Sequence, residues 1–131
     1  MAFPVIDGLR TIEFGTPGQI RDWLVSLVLD GVKCASAGLL SEYADEGEPL
    51  EQVGELLAVV DGEGRRVATL RVLRVDVMRF ADVPDDFALA EGEGDLSGDD
   101  FRAGHSSYWG RQGISVDGDT EVVLIRFERL S

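Results

Sequence analysis

Residues 67–78 alternate in a way that suits one long, bent strand. Val67, Thr69, Arg71, Leu73, Val75 and Val77 hold one parity, and Ala68, Leu70, Val72, Arg74, Asp76 and Met78 hold the other. Successive side chains of a strand point to opposite faces. Neither parity is apolar throughout, so the buried face must change partway, as it does in a curved barrel strand. Two further apolar runs, 55–60 and Val122 to Phe127, read as strands, and Asp61-Gly62-Glu63-Gly64 reads as a hairpin-type turn.

One amphipathic helix is clearly punctuated. Thr16 suits the N-cap, Pro17 the first helical position, and Gln19 completes a capping-box spacing. Ile20, Trp23, Leu24, Leu27 and Val28 then make one apolar stripe, which places Trp23 in the core, and Gly31 stops the helix. Residues 1–15 read as an extended lead-in, 39–45 as a brief helix, and 84–90 as a turn or short helix. A polar helix from Asp95, a possible N-cap, runs to about Trp109. With no internal repeat or linker, residues 1–131 read as a single α+β domain: a small, partly open β-barrel with flanking helices.

The chain has 131 residues and a formal net charge of −13. That field opposes contact with nucleic-acid phosphates, so duplex DNA is not an expected partner. A nucleoside or a short single strand carries far fewer phosphates and stays open. The single cysteine, Cys34, leaves no internal disulfide and no cysteine-rich zinc site. No apolar run approaches the length of a membrane span, and Met1-Ala2-Phe3-Pro4 lacks the features of a signal peptide. A cytoplasmic location is expected.

Lys33 is the only lysine; the other eleven basic residues are arginine. Arginine holds a fixed charge, whereas a desolvated lysine can act as a base. Lys33 lies in Gly31-Val32-Lys33-Cys34-Ala35-Ser36, with a hydroxyl three residues on. A bend between them would let a neutral lysine deprotonate Ser36. The alternative is that Ser36 caps the next helix and Lys33 projects into water. Downstream, Glu91, Glu93 and Asp95 alternate with glycine ahead of the only histidine, His105. A carboxylate there could pair with Lys33 or orient a substrate amine, or the loop could simply be solvated. The twelve-residue calcium pattern is not met, and no zinc motif or nucleotide fingerprint is present, so neither a metal nor a cofactor is expected. Arg102 and His105 lie three apart on one face of the polar helix, with Phe101, Tyr108 and Trp109 nearby.

Taken together, these segments resemble the ASCH domain family. The resemblance rests on Gly31-x-Lys33-x-Ala35-Ser36 after an amphipathic helix, on Ala90-Glu91-Gly92-Glu93-Gly94-Asp95-Leu96-Ser97, and on Phe101-Arg102-x-x-His105. It spans roughly residues 12–130 and implies a PUA-like β-barrel in a family associated with RNA. Some members are amidohydrolases that remove the acyl group from acylated cytidine, using a lysine, a threonine and a downstream glutamate. By motif position these correspond to Lys33, Ser36 and Glu93, with serine in place of threonine. Glu91, Arg102 and His105 are then expected to bind substrate. Other members resemble single-strand ribonucleases, and a non-catalytic RNA-binding module is the third alternative. A basic cleft around Lys33, Arg74 and Arg102 would favour RNA. Gly98 and Phe101 depart from the family pattern, where leucine-like and tryptophan residues are usual.

Overall fold

A computed structural model describes residues 4–130; Met1 to Phe3 of the expected lead-in, and Ser131, lie outside the described residues. The chain runs β1 (Val5–Ile6), β2 (Leu9–Ile12), α1 (Gln19–Leu29), β3 (Ala35–Leu39), α2 (Leu40–Glu46), β4 (Leu56–Val60) and β5 (Arg66–Arg79). A single 3-10 turn (Phe80–Asp82) leads to α3 (Asp85–Glu91), α4 (Gly98–Arg111) and β6 (Glu121–Arg129). The six strands form one mixed sheet in the order β1-β2-β4-β5-β6-β3. Among the described residues, only β2 and β4 pair in parallel. The α+β class holds, and the sheet stays open, with β1 and β3 as its edges.

The change of buried face in β5 has a local cause. The β5–β6 register shifts between Val72, which pairs with Phe127, and Arg74, which pairs with Arg126. One extra residue in the strand reverses its parity. Ala68, Leu70 and Val72 thus share the α1 side of the sheet with Val75. Past the bulge, Met78 packs on the opposite side.

Strand β6 is buried on both faces, and its alternation divides the core. Val123, Ile125 and Phe127 pack with Leu24, Val25 and Val28 of α1, with Phe14, and with Leu57 and Leu70. Val122 and Leu124 pack with Ala35, Leu39, Phe80, Phe87, Phe101 and Trp109. An open sheet covered on both sides needs such two-faced central strands.

Three expectations about element ends change. Residues 9–12 of the supposed lead-in are a true strand, held parallel to β4 through Arg10–Leu57, Thr11–Ala58 and Ile12–Val59. Helix α1 starts at Gln19, with Gly18 rather than Thr16 at its cap and no side-chain capping bond. Helix α4 starts later than Asp95: Ser97 is its N-cap, and the Ser97 hydroxyl accepts from the Asp100 N–H.

Leu70 is fully buried at the centre of the α1 side. Leu70→Ala is expected to lower stability by about 2–5 kcal/mol, the range for a buried leucine whose site cannot collapse. Urea denaturation checks it; a loss below about 1 kcal/mol would mean that this side is loosely packed.

Candidate active site

Helix α1 delivers Lys33 through its C-terminus. Asp30 is the C-cap, and Gly31 follows in the left-handed conformation (φ 77°). The Gly31 N–H donates to the Val28 carbonyl and the Val32 N–H to the Leu27 carbonyl. These are the two bonds of a Schellman turn. The Lys33 N–H also donates to Leu27, and the Cys34 N–H donates to the Ala90 carbonyl at 2.8 Å. The chain thus turns sharply off α1 and docks on the end of α3.

Gly92 makes that docking possible. It caps α3 in the left-handed conformation (φ 67°), and a Cβ there would lie 2.4 Å from the Val32 carbonyl oxygen. A side chain would both strain the backbone and push the lysine segment away. Because Val32 and Gly92 touch, Lys33 meets the residues on either side of Gly92. Its Nζ lies 2.5 Å from Glu93 Oε2, 3.5 Å from Glu91 Oε2 and 3.4 Å from the Glu91 carbonyl oxygen. Phe14 lines the lysine's other side, with Nζ 5.7 Å from the ring centroid. Lys33 is 2% exposed, so it does not project into water.

Ser36 lies on β3, paired with Ile125. Its neighbours Ala35 and Leu39 pack into the α3–α4 side, so alternation turns Ser36 the other way, into the cleft that Lys33 lines. No hydrogen bond joins Ser36 to Lys33 among the described residues, and Ser36 does not cap α2, whose N-cap is Leu39. The cleft holds about 790 Å³, ample for a nucleoside. Its lining carries six carboxylates, from Glu13, Glu42, Glu51, Glu91, Glu93 and Asp95. Against them stand three basic side chains, from Arg21, Lys33 and Arg111.

Glu91 is the most deeply buried of these acids, at 1% exposed. Burial pushes its carboxyl up to about 8, against the attraction of Lys33 and with help from repulsion by Glu93. Among the described residues its Oε1 has no hydrogen-bond partner, although His105 Nε2 is only 3.4 Å away. The His105 Nδ1 stands 3.0 Å from the Phe101 carbonyl oxygen, one turn back along α4. Phe101 also stacks on the imidazole, with centroids 4.0 Å apart. Burial lowers the His105 pKa, so the ring is neutral at pH 7. With Nδ1 donating to Phe101, Nε2 presents a lone pair to Glu91.

Arg102 does not join this group. Its guanidinium donates to the Ala81 and Val83 carbonyls and pairs with Asp99, and it does not line the cleft. Arg74 also lies outside the lining and pairs with Asp76. Trp23 corrects the expected core position: it is 49% exposed at the cleft, while Arg21, Leu24, Val25 and Val28 are the buried residues of α1. Its place on the stripe was at the boundary, and the helix is rotated so that Arg21 is buried instead, donating to the Phe14 and Gly15 carbonyls. The sequence reading also missed Tyr43 and Glu51, a buried pair at 2.8 Å in the cleft wall. Their eight-residue spacing across a turn carries no motif.

The chain belongs to the ASCH domain family, whose model matches residues 10–131. Among solved structures it is similar to an ASCH domain from Lactobacillus crispatus JV V101. That match has 28% identity and a TM-score of 0.78, and it covers 92% of this chain and 80% of the other. A protein from Enterococcus faecalis V583 is similar at 27% identity and a TM-score of 0.78, over 90% of this chain and 74% of that one. No curated protein matches the chain.

Two predictions follow from the docking and from Glu91. Gly92→Ala is expected to cost more than about 2 kcal/mol, because strain at a left-handed residue adds to a backbone clash. Urea denaturation checks it, and a near-neutral change would show that the contact with Val32 is loose. For Glu91, the folded state keeps a proton that the unfolded state loses above about pH 4.5. Its contribution to stability is full below that pH and is lost progressively as pH rises to about 8. Glu91→Gln stays neutral, so its melting temperature relative to the native chain should rise across that window. A constant difference would contradict the raised pKa.

Proposed function

We propose that this protein is a hydrolase that removes the acyl group from the exocyclic amine of an acylated nucleoside, with acylated cytidine as the substrate class. The observation that carries this reading is the pairing of buried Lys33 with half-buried Glu93, 2.5 Å apart, in one cleft with the Ser36 hydroxyl. The family resemblance at Lys33, Ser36 and Glu93 supports the same roles.

The chemistry needs a nucleophile, a base and an acid. Transfer of the Lys33 ammonium proton to Glu93 frees the Nζ lone pair. The Ser36 hydroxyl then attacks the acyl carbon, and its proton passes to Nζ. As the C–N bond breaks, Lys33 returns that proton to the leaving amine, which departs as cytidine. Water then gives a proton to Nζ as it attacks the acyl ester, the acyl C–O bond to Ser36 breaks, and Lys33 returns that proton to the Ser36 oxygen as the carboxylic acid leaves. The mechanism requires the hydroxyl to come within hydrogen-bond reach of Nζ in the complex, where catalytic hydrogen bonds often first form.

Charge selects the substrate. The acids of the lining other than protonated Glu91 oppose a polyanion, and neither Arg74 nor Arg102 supplies the basic cleft that RNA binding requires. A neutral nucleoside meets no such penalty. Trp23 and Tyr108 at the cleft offer aromatic faces for the base.

Release of cytidine from acylated cytidine, followed by chromatography, tests the reading. Lys33→Arg keeps the charge but supplies no base, and is expected to lose at least about a hundredfold in rate. Ser36→Ala should be inactive, and Ser36→Thr should retain measurable turnover. Full activity in both Lys33→Arg and Ser36→Ala would overturn the mechanism. Tight, salt-sensitive binding of generic single-stranded RNA would favour a ribonuclease or a binding module instead.

A further inference from the structure

Beside the Lys33–Glu93 pair lies a second constellation that the hydrolysis does not use. We propose that Glu91, Asp95 and His105 form a binding site for a single divalent transition-metal ion of the Zn2+ type. One ligand atom from each of the three lies within 4.8 Å of the other two.

The first support is the orphaned Glu91 Oε1. It is buried, has no hydrogen-bond partner among the described residues, and faces the His105 Nε2 at 3.4 Å. An oxygen so enclosed is costly unless something fills the gap. The spacing itself suits an ion. Two tetrahedral ligands each about 2.1 Å from Zn2+ stand about 3.4 Å apart.

The second support is the orientation of the histidine. A metal-ligating imidazole commonly donates its other N–H to a carbonyl or carboxylate, which fixes the tautomer. Here Nδ1 faces the Phe101 carbonyl at 3.0 Å, and Phe101 stacks on the ring. The lone pair at Nε2 is thereby aimed at Glu91 before any ion arrives.

Charge completes the case. With Glu91 ionised, as ligation requires, Glu91, Glu93 and Asp95 bring three negative charges against one positive charge on Lys33. A divalent ion brings that local sum to zero. One imidazole with two carboxylates suits Zn2+ and its first-row neighbours, whereas Mg2+ and Ca2+ prefer all-oxygen shells. Asp95 is partly exposed on the loop before α4 and can close over the ion from the cleft side, leaving the fourth position to water. Glu91 would then join the two centres, with Oε1 on the ion and Oε2 toward Lys33.

The test does not depend on any hydrolytic activity. His105 is the only histidine in the chain, so protein made without an affinity tag and stripped with chelator gives one set of imidazole signals. Zn2+ is added and the ring nitrogens are followed by NMR. The expected result is a saturable shift of Nε2 at one equivalent, with Nδ1 still protonated. Co2+ should give a visible absorption spectrum with the same stoichiometry, displaced by Zn2+. Glu91→Gln and His105→Gln are expected to weaken binding by at least about tenfold, the lower range for disturbing a metal's surroundings. Asp119→Asn, a surface acid paired with Arg79, should leave it unchanged. No imidazole shift at one equivalent, or Co2+ binding that survives both substitutions, would overturn the site. A wild-type imidazole titration that succeeds stands even if a variant fails to fold.

Discussion

The buried ammonium of Lys33 is the constraint around which the rest of this molecule is arranged. An isolated charge at 2% exposure would be strongly unfavourable, and its removal from water has to be offset by close partners. Glu93 at 2.5 Å supplies the charged one, and the Glu91 backbone carbonyl at 3.4 Å adds a further acceptor. Neither acid is near Lys33 in sequence. They meet because the turn after α1 sends residues 32–34 onto the end of α3, where Cys34 bonds to Ala90 and Val32 rests on Gly92. The acids gathered around the lysine then burden one another. Glu91, the deepest, holds its proton to about 8.

The sheet explains why this cluster opens onto a cleft. The bulge in β5 lets one strand serve two cores, and β6 carries apolar residues on both faces. One core is closed by α1 and the other by α3 and α4. Edge strand β3 sits between them, with Ala35 and Leu39 in the α3–α4 core and Ser36 facing the cleft. The cluster therefore lies where two separately packed halves meet, and each half contributes part of it. The α1 half brings Lys33, and the α3–α4 half brings Glu91, Glu93 and His105.

Much of the fold was legible because its signals are local. The strand alternation in 67–78, the hairpin at 61–64 and the helix stop at Gly31 each follow from adjacent residues, and each appears in the structure. Strand β2 was not legible, because four residues that pair in parallel with a distant strand carry no turn signal. Trp23 was misplaced for a related reason. A stripe fixes a helix face only to within about one residue position, and the buried Arg21 shifts that face. At the site, the sole lysine and the acidic glycine loop drew attention as rare local patterns. The convergence of Asp95 with Glu91 and His105 depends on how the 92–97 loop folds back, which no spacing rule contains.

Because Lys33 is the only lysine, its side-chain nitrogen can be observed alone, by labelling the protein with 15N-lysine. This nitrogen lies beside Glu93 in the cleft wall, where the proposed nucleoside would meet it. One ammonium signal protected from solvent exchange is expected at neutral pH. That signal should lose its protection in Glu93→Gln, and it should shift when acylated cytidine is added. A signal that exchanges like a free surface lysine, and that does not respond to the nucleoside, would contradict this placement.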